Sequence, residues 1–202
     1  MNFPEDIVLE KHSVVEFFNH CAPTWDAEMI RNEDAITYIL DHAGVRPGAA
    51  VLDVACGTGV LFPDYAARGV TDLTGIDISP EMAKIAAKKF PEATMICGDV
   101  EEYVFDRKFD VVMVYNAFPH FPDPARLIER LAALTAPGGT LSIAHGMSKA
   151  QLDRHHSGCA QHVSIRLLDE NDLAALLRPW FDVDVILADD SMYQVTGRRK
   201  NN

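Results

Sequence analysis

Short apolar segments alternate along this chain with longer segments in which apolar side chains recur at helical spacing. The apolar segments predict strands at residues 50–54, 73–77, 94–97, 110–115 and 140–145. The amphipathic segments predict helices at residues 6–20, 28–42, 59–68, 80–89, 124–134 and 169–177. Strands that alternate with helices in this way are typical of an α/β fold with a parallel sheet.

The C-terminal part of the chain has the pattern of a hairpin. Residues 182–187 and 192–197 each predict a strand, and Ala188–Asp189–Asp190–Ser191 predicts the turn between them. A hairpin here predicts that the last strand is antiparallel and lies at the edge of an otherwise parallel sheet. Residues 146–168 have no pattern that assigns them clearly to a helix or a strand.

The most informative segment follows the first predicted strand, which carries Asp53 near its end. Cys56–Gly57–Thr58–Gly59 forms a turn with almost no side-chain bulk, and a predicted helix starts directly after it. A strand, a glycine turn and a helix N-terminus together expose backbone N–H groups to a nucleotide-like ligand. Asp77 ends the second strand 20 residues after Gly57, which suits a carboxylate that binds both hydroxyls of a ribose.

The identity of the nucleotide can be narrowed from two positions. A dinucleotide fingerprint needs glycine or alanine three residues after the second glycine, where this chain has Phe62 followed by Pro63. Asp53, four residues before Gly57, instead favours a ligand with a cationic head group. S-adenosylmethionine combines a ribose, an adenine and an α-amino acid head. A nicotinamide-dependent reductase stays open as a less favoured alternative.

Several motifs occur in the order found in a known family. They are Asp53–x–x–x–Gly57–x–Gly59, Asp77, Cys97–Gly98–Asp99–Val100, Phe109–Asn116 and Pro137–Gly138–Gly139–Thr140–Leu141. With them the chain resembles the class I S-adenosylmethionine-dependent methyltransferases, strongly over residues 45–145. The resemblance implies a Rossmann-like, seven-stranded, mostly parallel sheet with an antiparallel last strand and helices on both faces.

The resemblance also implies roles for individual residues. Asp77 is expected to bind the ribose, and Asp99 the adenine amino group, with the Val100 N–H reaching a ring nitrogen. Ile78 and Met82 are expected to flank the adenine. Asn116 lies where the family holds the methionine part. The remaining predicted cofactor residues are Asp53, Ala55, Gly57, Gly59 and Trp25.

Trp25 belongs to the segment 17–26, Phe–Phe–Asn–His–Cys–Ala–Pro–Thr–Trp–Asp. This segment resembles the N-terminal part of the ubiquinone/menaquinone methyltransferase-like group, in which it folds over the cofactor. Trp25 takes the position where tyrosine is usual, and an indole can stack on a sulfonium or on adenine. The alternative is a tryptophan that only packs between helices. The resemblance does not extend to a quinone substrate, because the segment after the fifth strand does not match.

The substrate side is expected at the ends of the fourth and fifth strands, where Tyr115 and His145 lie. Alignment and desolvation supply much of the rate of methyl transfer, but a hydroxyl or acidic carbon nucleophile also needs a base. His145 is predicted to point into the cavity as one candidate base. His120, which follows the fourth strand, is the other, and the alternative for it is a packing or capping role.

The segment 146–168 is a candidate lid over the substrate. It contains His155–His156–x–x–Cys159–x–x–His162, in which residues 155, 159 and 162 could share one helical face and ligate zinc. Ser157–Gly158 interrupts a helix, and the spacing is not that of structural zinc sites, so we predict no metal. A lid predicts that His155 or His156 faces the sulfonium, and a solvated loop is the alternative.

Composition and charge limit the classes of partner. At 202 residues, 48% of them apolar, the chain is long enough for one domain, with 1–44 as an N-terminal helical cap and 45–202 as the core. The net charge of −12 argues against binding nucleic acid or an anionic membrane. The chain lacks a signal-peptide pattern, a long apolar run and C-x-x-C spacing, so a cytoplasmic location with reduced thiols is expected.

From these observations we expect an enzyme that transfers the methyl group of S-adenosylmethionine to a small molecule. The alternative from another class is a catalytically silent cofactor-binding module that partners a second protein. The methyl acceptor and the oligomeric state do not follow from the residues.

Overall fold

The computed structural model describes residues 9–156 and 161–201, without the side chains of 153–156 and 161. In this part of the chain seven strands form one sheet, in the order β3-β2-β1-β4-β5-β7-β6. The strands are β1 (Ala50–Val54), β2 (Asp72–Asp77), β3 (Thr94–Cys97), β4 (Phe109–Tyr115), β5 (Thr135–His145), β6 (Phe181–Ala188) and β7 (Tyr193–Arg199). Strands β1 to β5 are parallel to one another, and β7 is antiparallel to both β5 and β6. The predicted mixed sheet is confirmed.

The predicted edge position of the last strand is wrong. β7 lies between β5 and β6, and β6 forms the edge. The first five residues of β7 are all buried, whereas alternate residues of β6 are exposed, among them Asp182 and Asp184. Charged side chains discourage pairing with a further strand, so β6 is the strand of this hairpin that suits an edge.

Eight α-helices occur in the described residues, three of them before β1 and five between strands. They are α1 (Lys11–Cys21), α2 (Trp25–Glu28), α3 (Glu33–His42), α4 (Phe62–Ala67), α5 (Pro80–Lys89), α6 (Pro124–Leu134), α7 (Lys149–His156) and α8 (Glu170–Leu177). Two 3-10 helices occur at Phe118–His120 and Gln161–Val163. The bounds predicted for α5 and α6 are confirmed, because a capping side chain and a proline mark each start: Ser79 accepts from the Met82 N–H, and Asp123 accepts from the Arg126 N–H.

Three helices start later than predicted. Helix α1, predicted over 6–20, starts at Lys11 because Glu10 is extended. The segment predicted as one helix over 28–42 is interrupted, because Met29 is extended and Asn32 caps α3 by accepting from the Ala35 N–H. The helix predicted over 59–68 starts at Phe62, since Gly59 has a φ of 82°, in the left-handed region that a right-handed helix cannot contain.

The sheet separates two layers of buried apolar side chains. Leu52, together with side chains of α6 and α8, belongs to one layer, and Val51, with side chains of α3 and α4, belongs to the other. Neighbouring residues of a strand point to opposite faces, so both faces of β1 are covered. No helix in residues 9–156 or 161–201 is both long and apolar enough to cross a membrane. The predicted helices on both faces are confirmed.

Candidate active site

A cavity of about 510 Å³ opens beside the carboxyl ends of the parallel strands. This is the edge where open α/β sheets bind their ligands. The predicted site residues among those that line it are Trp25, Asp53, Ala55, Gly57, Asp77, Ile78, Met82, Asp99, Val100, Tyr115, Asn116 and His120. The structure therefore brings most of the predicted site residues to one place.

The backbone of the glycine turn is left-handed at alternate residues. Ala55, Gly57 and Gly59 have φ values of 53°, 56° and 82°. Gly57 lines the cavity, whereas Gly59 does not, and the predicted contact of Gly59 with the cofactor stays a prediction. A Cβ on Gly59 would lie 2.8 Å from the ring of Phe90, so this glycine serves close packing beneath the turn.

Asp77 holds the glycine turn against β2. Its Oδ2 accepts from the Gly57 N–H at 2.8 Å, and its Oδ1 accepts from the Ser79 N–H at 2.9 Å. Burial raises the pKa of Asp77 to about 6, and the two hydrogen bonds limit the rise. The group is mostly ionised at neutral pH, and a carboxylate has about four acceptor sites, so capacity for ribose hydroxyls is left.

Asp53 is almost completely buried at the base of the cavity. Burial raises the pKa of Asp53 to about 8; the Tyr65 hydroxyl opposes the rise and the charge of Asp77 adds to it. At neutral pH this carboxyl group is therefore mostly protonated. A cation bound beside it would favour the ionised form and lower its pKa.

Asp99 is already paired in this structure. Its Oδ1 accepts from the Glu101 N–H at 2.9 Å, and its Oδ2 contacts the ammonium group of Lys11 on α1. Lys11 also lies 2.6 Å from Oε2 of Glu101. Burial opposes the charge of Lys11, but the two carboxylates outweigh it and raise its pKa. The carboxylate expected to bind adenine is thus also an anchor for α1, 88 residues earlier in the chain.

Aromatic rings form the wall opposite the strand ends. The ring of Phe18 on α1 stands edge-on to Trp25 at 5.8 Å between centroids, and edge-on to His120 at 4.9 Å. All three residues line the cavity. Trp25 Nε1 is buried and has no hydrogen-bond partner among the described residues. The cavity thus combines carboxyl groups and bare backbone on one side with aromatic surface on the other.

Comparison with known proteins identifies the family that the segment around this site matches. The sequence profile of a family described as "Methyltransferase domain" matches residues 51–139, the segment that contains the glycine turn, Asp77 and Asp99. Residues 51–139 therefore carry a methyltransferase domain.

Two curated relatives are similar in sequence to this chain, and one solved structure has the same fold. The chain is 31% identical over 137 residues to demethylmenaquinone methyltransferase of Renibacterium salmoninarum, covering 65% of this chain and 57% of the relative. It is 37% identical over 150 residues to ubiquinone biosynthesis O-methyltransferase of Coxiella burnetii, covering 68% and 63%. The chain thus spans less than two thirds of either relative. Magnesium protoporphyrin IX methyltransferase from Synechocystis PCC 6803 with bound SAH shares the fold, with a TM-score of 0.72, 20% identity and coverage of 95% and 100%.

In the methyltransferase domain, His120 lies in the 3-10 helix after β4 and lines the cavity. Its Nδ1 is 2.8 Å from the carbonyl oxygen of Val163. Because a carbonyl only accepts, Nδ1 carries the proton and donates, which leaves the lone pair of the neutral ring on Nε2. His120 thus packs against Phe18 and donates to the Val163 carbonyl oxygen, and this tautomer also suits a base.

His145 does not reach the cavity, which corrects its predicted position. It is fully buried, and its ring stands edge-on to Tyr193 at 6.0 Å between centroids. His145 pairs with Tyr193 in the ladder between β5 and β7. The preceding residue, Ala144, packs in the same apolar layer as Tyr115, so strand alternation turns His145 to the other face of the sheet.

Tyr115 and Asn116 form the floor of the cavity beneath residues 146–147. Asn116 has a φ of 54°, and its Oδ1 accepts from the Gly146 N–H at 3.0 Å. A Cβ on Gly146 would lie only 2.2 Å from the Tyr115 hydroxyl oxygen, so Tyr115 needs a glycine there. Burial raises the pKa of Tyr115 to about 12, which keeps its hydroxyl protonated. Sequence reasoning missed Gly146, which carries no motif of its own.

The candidate lid is described in part. Met147 and Leu152 line the cavity, and Met147 also borders a second, open cavity of about 920 Å³ that shares Ile30 with the first. The backbone of His155 and His156 continues α7, but their side chains, like the whole of Cys159, lie outside the described residues. Within the described residues no three side chains are grouped to hold a metal ion.

Proposed function

We propose that this protein transfers the methyl group of S-adenosylmethionine to a small-molecule acceptor. One observation carries the proposal: the glycine turn, Asp53 and Asp77 meet in one cavity at the strand ends, opposite an aromatic wall. The methyltransferase domain match over 51–139 supports the same function. A dinucleotide is disfavoured by Phe62, whose ring packs against Phe90 5.2 Å away, beneath Gly59.

The residues fit the cofactor's three parts. Asp77 keeps acceptor capacity for the ribose hydroxyls, and Ile78 and Met82 offer apolar surface to the adenine. Asp53 suits the cationic amino group, which would shift its carboxyl toward the ionised form. Trp25 lies over the glycine turn as an aromatic surface with a buried N–H.

The acceptor side is mainly apolar. Phe17, Phe18, Phe121 and Leu152 line the cavity, and the second cavity opens beside it at Met147. Apolar and aromatic lining favours an acceptor with an aromatic or long apolar part. The relatives named demethylmenaquinone methyltransferase and ubiquinone biosynthesis O-methyltransferase support this class of acceptor. In this proposal Met147 and Leu152, which line the cavity, belong to the lid over the acceptor.

His120 is the base of the proposed reaction. Bound S-adenosylmethionine supplies a methyl group that is electrophilic because its sulfur is a sulfonium. For a hydroxyl acceptor, Nε2 of His120 would take the proton as the acceptor oxygen bonds to the methyl carbon; the bond between that carbon and the sulfur would break, and S-adenosylhomocysteine would leave. The Val163 carbonyl oxygen accepts a hydrogen bond from Nδ1–H. This bond keeps the ring oriented and stabilises the imidazolium that forms. The aromatic wall excludes water from the reacting atoms.

Turnover with defined probes tests the function. Purified protein is incubated with S-adenosylmethionine and a panel of catechols, quinols, carboxylic acids and amines, and S-adenosylhomocysteine is quantified by mass spectrometry. We expect turnover with at least one hydroxylated aromatic compound. Binding of S-adenosylhomocysteine without turnover on any acceptor would favour the silent binding module. Binding of NADH with no binding of S-adenosylmethionine would overturn the proposal in favour of a reductase.

A further inference from the structure

Asp26 joins three separate segments beside the cavity. Its Oδ1 accepts from the Thr58 hydroxyl at 2.5 Å, and its Oδ2 lies 2.6 Å from Nζ of Lys89 at the end of α5. Thr58 stands between the two glycines of the turn. Asp26 directly follows Trp25 in the single-turn helix α2. One carboxylate thus ties the segment that carries Trp25 to the glycine turn.

Helix α2 cannot hold its own position. It has four residues, none of them buried, and Thr24 at its N-cap makes no side-chain capping bond. A single helical turn is unstable without tertiary contacts. Arg31 fixes the chain beyond α2, with Nη1 2.5 Å from the Val60 carbonyl oxygen, but Arg31 lies six residues after Trp25. Asp26 is therefore the polar anchor adjacent to the indole.

The two bonds of Asp26 differ in their exposure to solvent. The ion pair with Lys89 is partly exposed, with 43% and 35% of the two side chains accessible, so solvent weakens it. The Thr58 hydroxyl is fully buried and donates to the same carboxylate, so solvent weakens this bond less. Loss of Asp26 would leave that hydroxyl buried without this acceptor.

The indole that Asp26 fixes has an N–H in need of an acceptor. Nε1 of Trp25 lies 3.8 Å from the position of a Cβ on Gly57, and it has no partner within the described part of the chain. A buried donor without an acceptor is unfavourable. A ligand that places an acceptor atom at the glycine turn therefore binds more tightly, because it satisfies this N–H.

We propose that Asp26 is a positioning residue, which through Thr58 fixes Trp25 so that its Nε1–H donates to bound cofactor at the glycine turn. This inference rests on the proposed function, because it takes the ligand to be S-adenosylmethionine. Asp26 itself does not line the cavity. Its effect on the cofactor therefore passes through Trp25 and the glycine turn.

The test uses the fluorescence of Trp25. The chain has two tryptophans, so Trp180→Phe leaves Trp25 as the single reporter. In this background, S-adenosylhomocysteine is titrated into the parent and into Asp26→Ala, Thr58→Val and Thr58→Ser. Asp34→Ala, which removes an exposed carboxylate from the first turn of α3, is the matched control. Circular dichroism and melting temperature confirm that each variant is folded.

We expect Asp26→Ala and Thr58→Val each to weaken binding by about tenfold, as loss of one charge-assisted hydrogen bond predicts. Their combination should weaken binding no further, since both remove the same bond. Both should also lose the change in Trp25 emission on binding. Thr58→Ser, which keeps the hydroxyl, and Asp34→Ala should behave like the parent.

The opposite results are distinguishable. Parent-like affinity in Asp26→Ala and Thr58→Val would overturn the role of Asp26 and leave the proposed function intact. Weaker binding with an unchanged emission response would also overturn it, because the effect would not pass through Trp25. If the parent itself does not bind S-adenosylhomocysteine, the proposed function fails and this inference with it. If Asp26→Ala does not fold, the comparison of Thr58→Val with Thr58→Ser decides.

Discussion

At the scale of single residues, the three acidic side chains at the strand ends differ in what already occupies them. Asp77 accepts two backbone N–H groups, Asp99 pairs with Lys11, and Asp53 is buried with a raised pKa. Their sequence motifs are equivalent, each being an acid at the end of a strand. Only the structure assigns each a separate physical state, because their partners come from the glycine turn, from α1 and from burial.

Asp77→Ala should weaken cofactor binding by more than tenfold. The change removes charge-assisted hydrogen bonds to the ribose, each worth ~1.5–3 kcal/mol. It also leaves the N–H groups of Gly57 and Ser79 without this acceptor, so the melting temperature should fall. Calorimetry with S-adenosylhomocysteine gives the affinity, and Asp34→Ala is the control. Unchanged affinity would place the ribose elsewhere in the cavity.

Cofactor affinity should rise with pH through the ionisation of Asp53. The pKa of Asp53 is raised to about 8 by burial, and a bound ammonium group favours the carboxylate, so binding releases a proton below this pH. Affinity should increase roughly tenfold between about pH 6.5 and 7.5, as one released proton requires. Asp53→Asn should abolish this increase. A dependence that survives in Asp53→Asn would assign the proton to another group, such as Asp77.

His120→Ala should lower turnover on a hydroxyl acceptor by about a hundredfold or more, within the range of general base catalysis. Cofactor affinity should change little, since the ring faces Phe18 and the Val163 carbonyl. His42→Ala, at an exposed histidine stacked on Tyr38, is the control. Equal turnover in parent and His120→Ala would mean that His120 only packs.

At the scale of elements, sequence signals succeeded where they were local. Ser79–Pro80 and Asp123–Pro124 mark helix starts with a cap and a proline, and α5 and α6 begin where these signals lie. Non-local contacts caused the errors. The orientation of His145 depends on its pairing with β7, and the sheet position of β7 depends on which strand of the hairpin is buried. Helix α7, in a segment without a clear pattern, was not predicted.

The anchor of α1 at Lys11 should be measurable as local stability. Lys11→Met removes one ion-pair partner from both Asp99 and Glu101. The Glu101 side chain, which is 3% exposed, then keeps its ion pair with Arg126 at 3.3 Å. We expect proteolytic cleavage near α1 to be faster in Lys11→Met than in the parent. High salt should also speed this cleavage in the parent, because it screens the ion pairs of Lys11. Lys84→Met, at a surface pair with Glu81, should not change the cleavage rate. Equal rates for Lys11→Met and the parent would show that α1 is held by its apolar contacts.

At the scale of the whole molecule, two predictions from the sequence are confirmed. The profile match over 51–139 confirms the methyltransferase domain, and the observed strand order confirms the mixed sheet. The division into a helical cap over 1–44 and a core over 45–202 within one domain stays a prediction. Helix α1 contacts α5 and the 3-10 helix at Gln161–Val163, and these contacts link the N-terminal helices to the core.

If residues 1–202 form one domain, its two ends should unfold together. Trp25 and Trp180 report on the cap and on the region before β6, so Trp180→Phe and Trp25→Phe each leave one local reporter. Urea transitions followed by the two emissions should coincide, as two-state unfolding requires. S-adenosylhomocysteine at a hundredfold excess over its dissociation constant should shift both transitions together, by about 2.7 kcal/mol. An earlier transition at Trp25 in the absence of ligand would instead identify the cap as a separate unit, which cofactor binding then orders against the glycine turn.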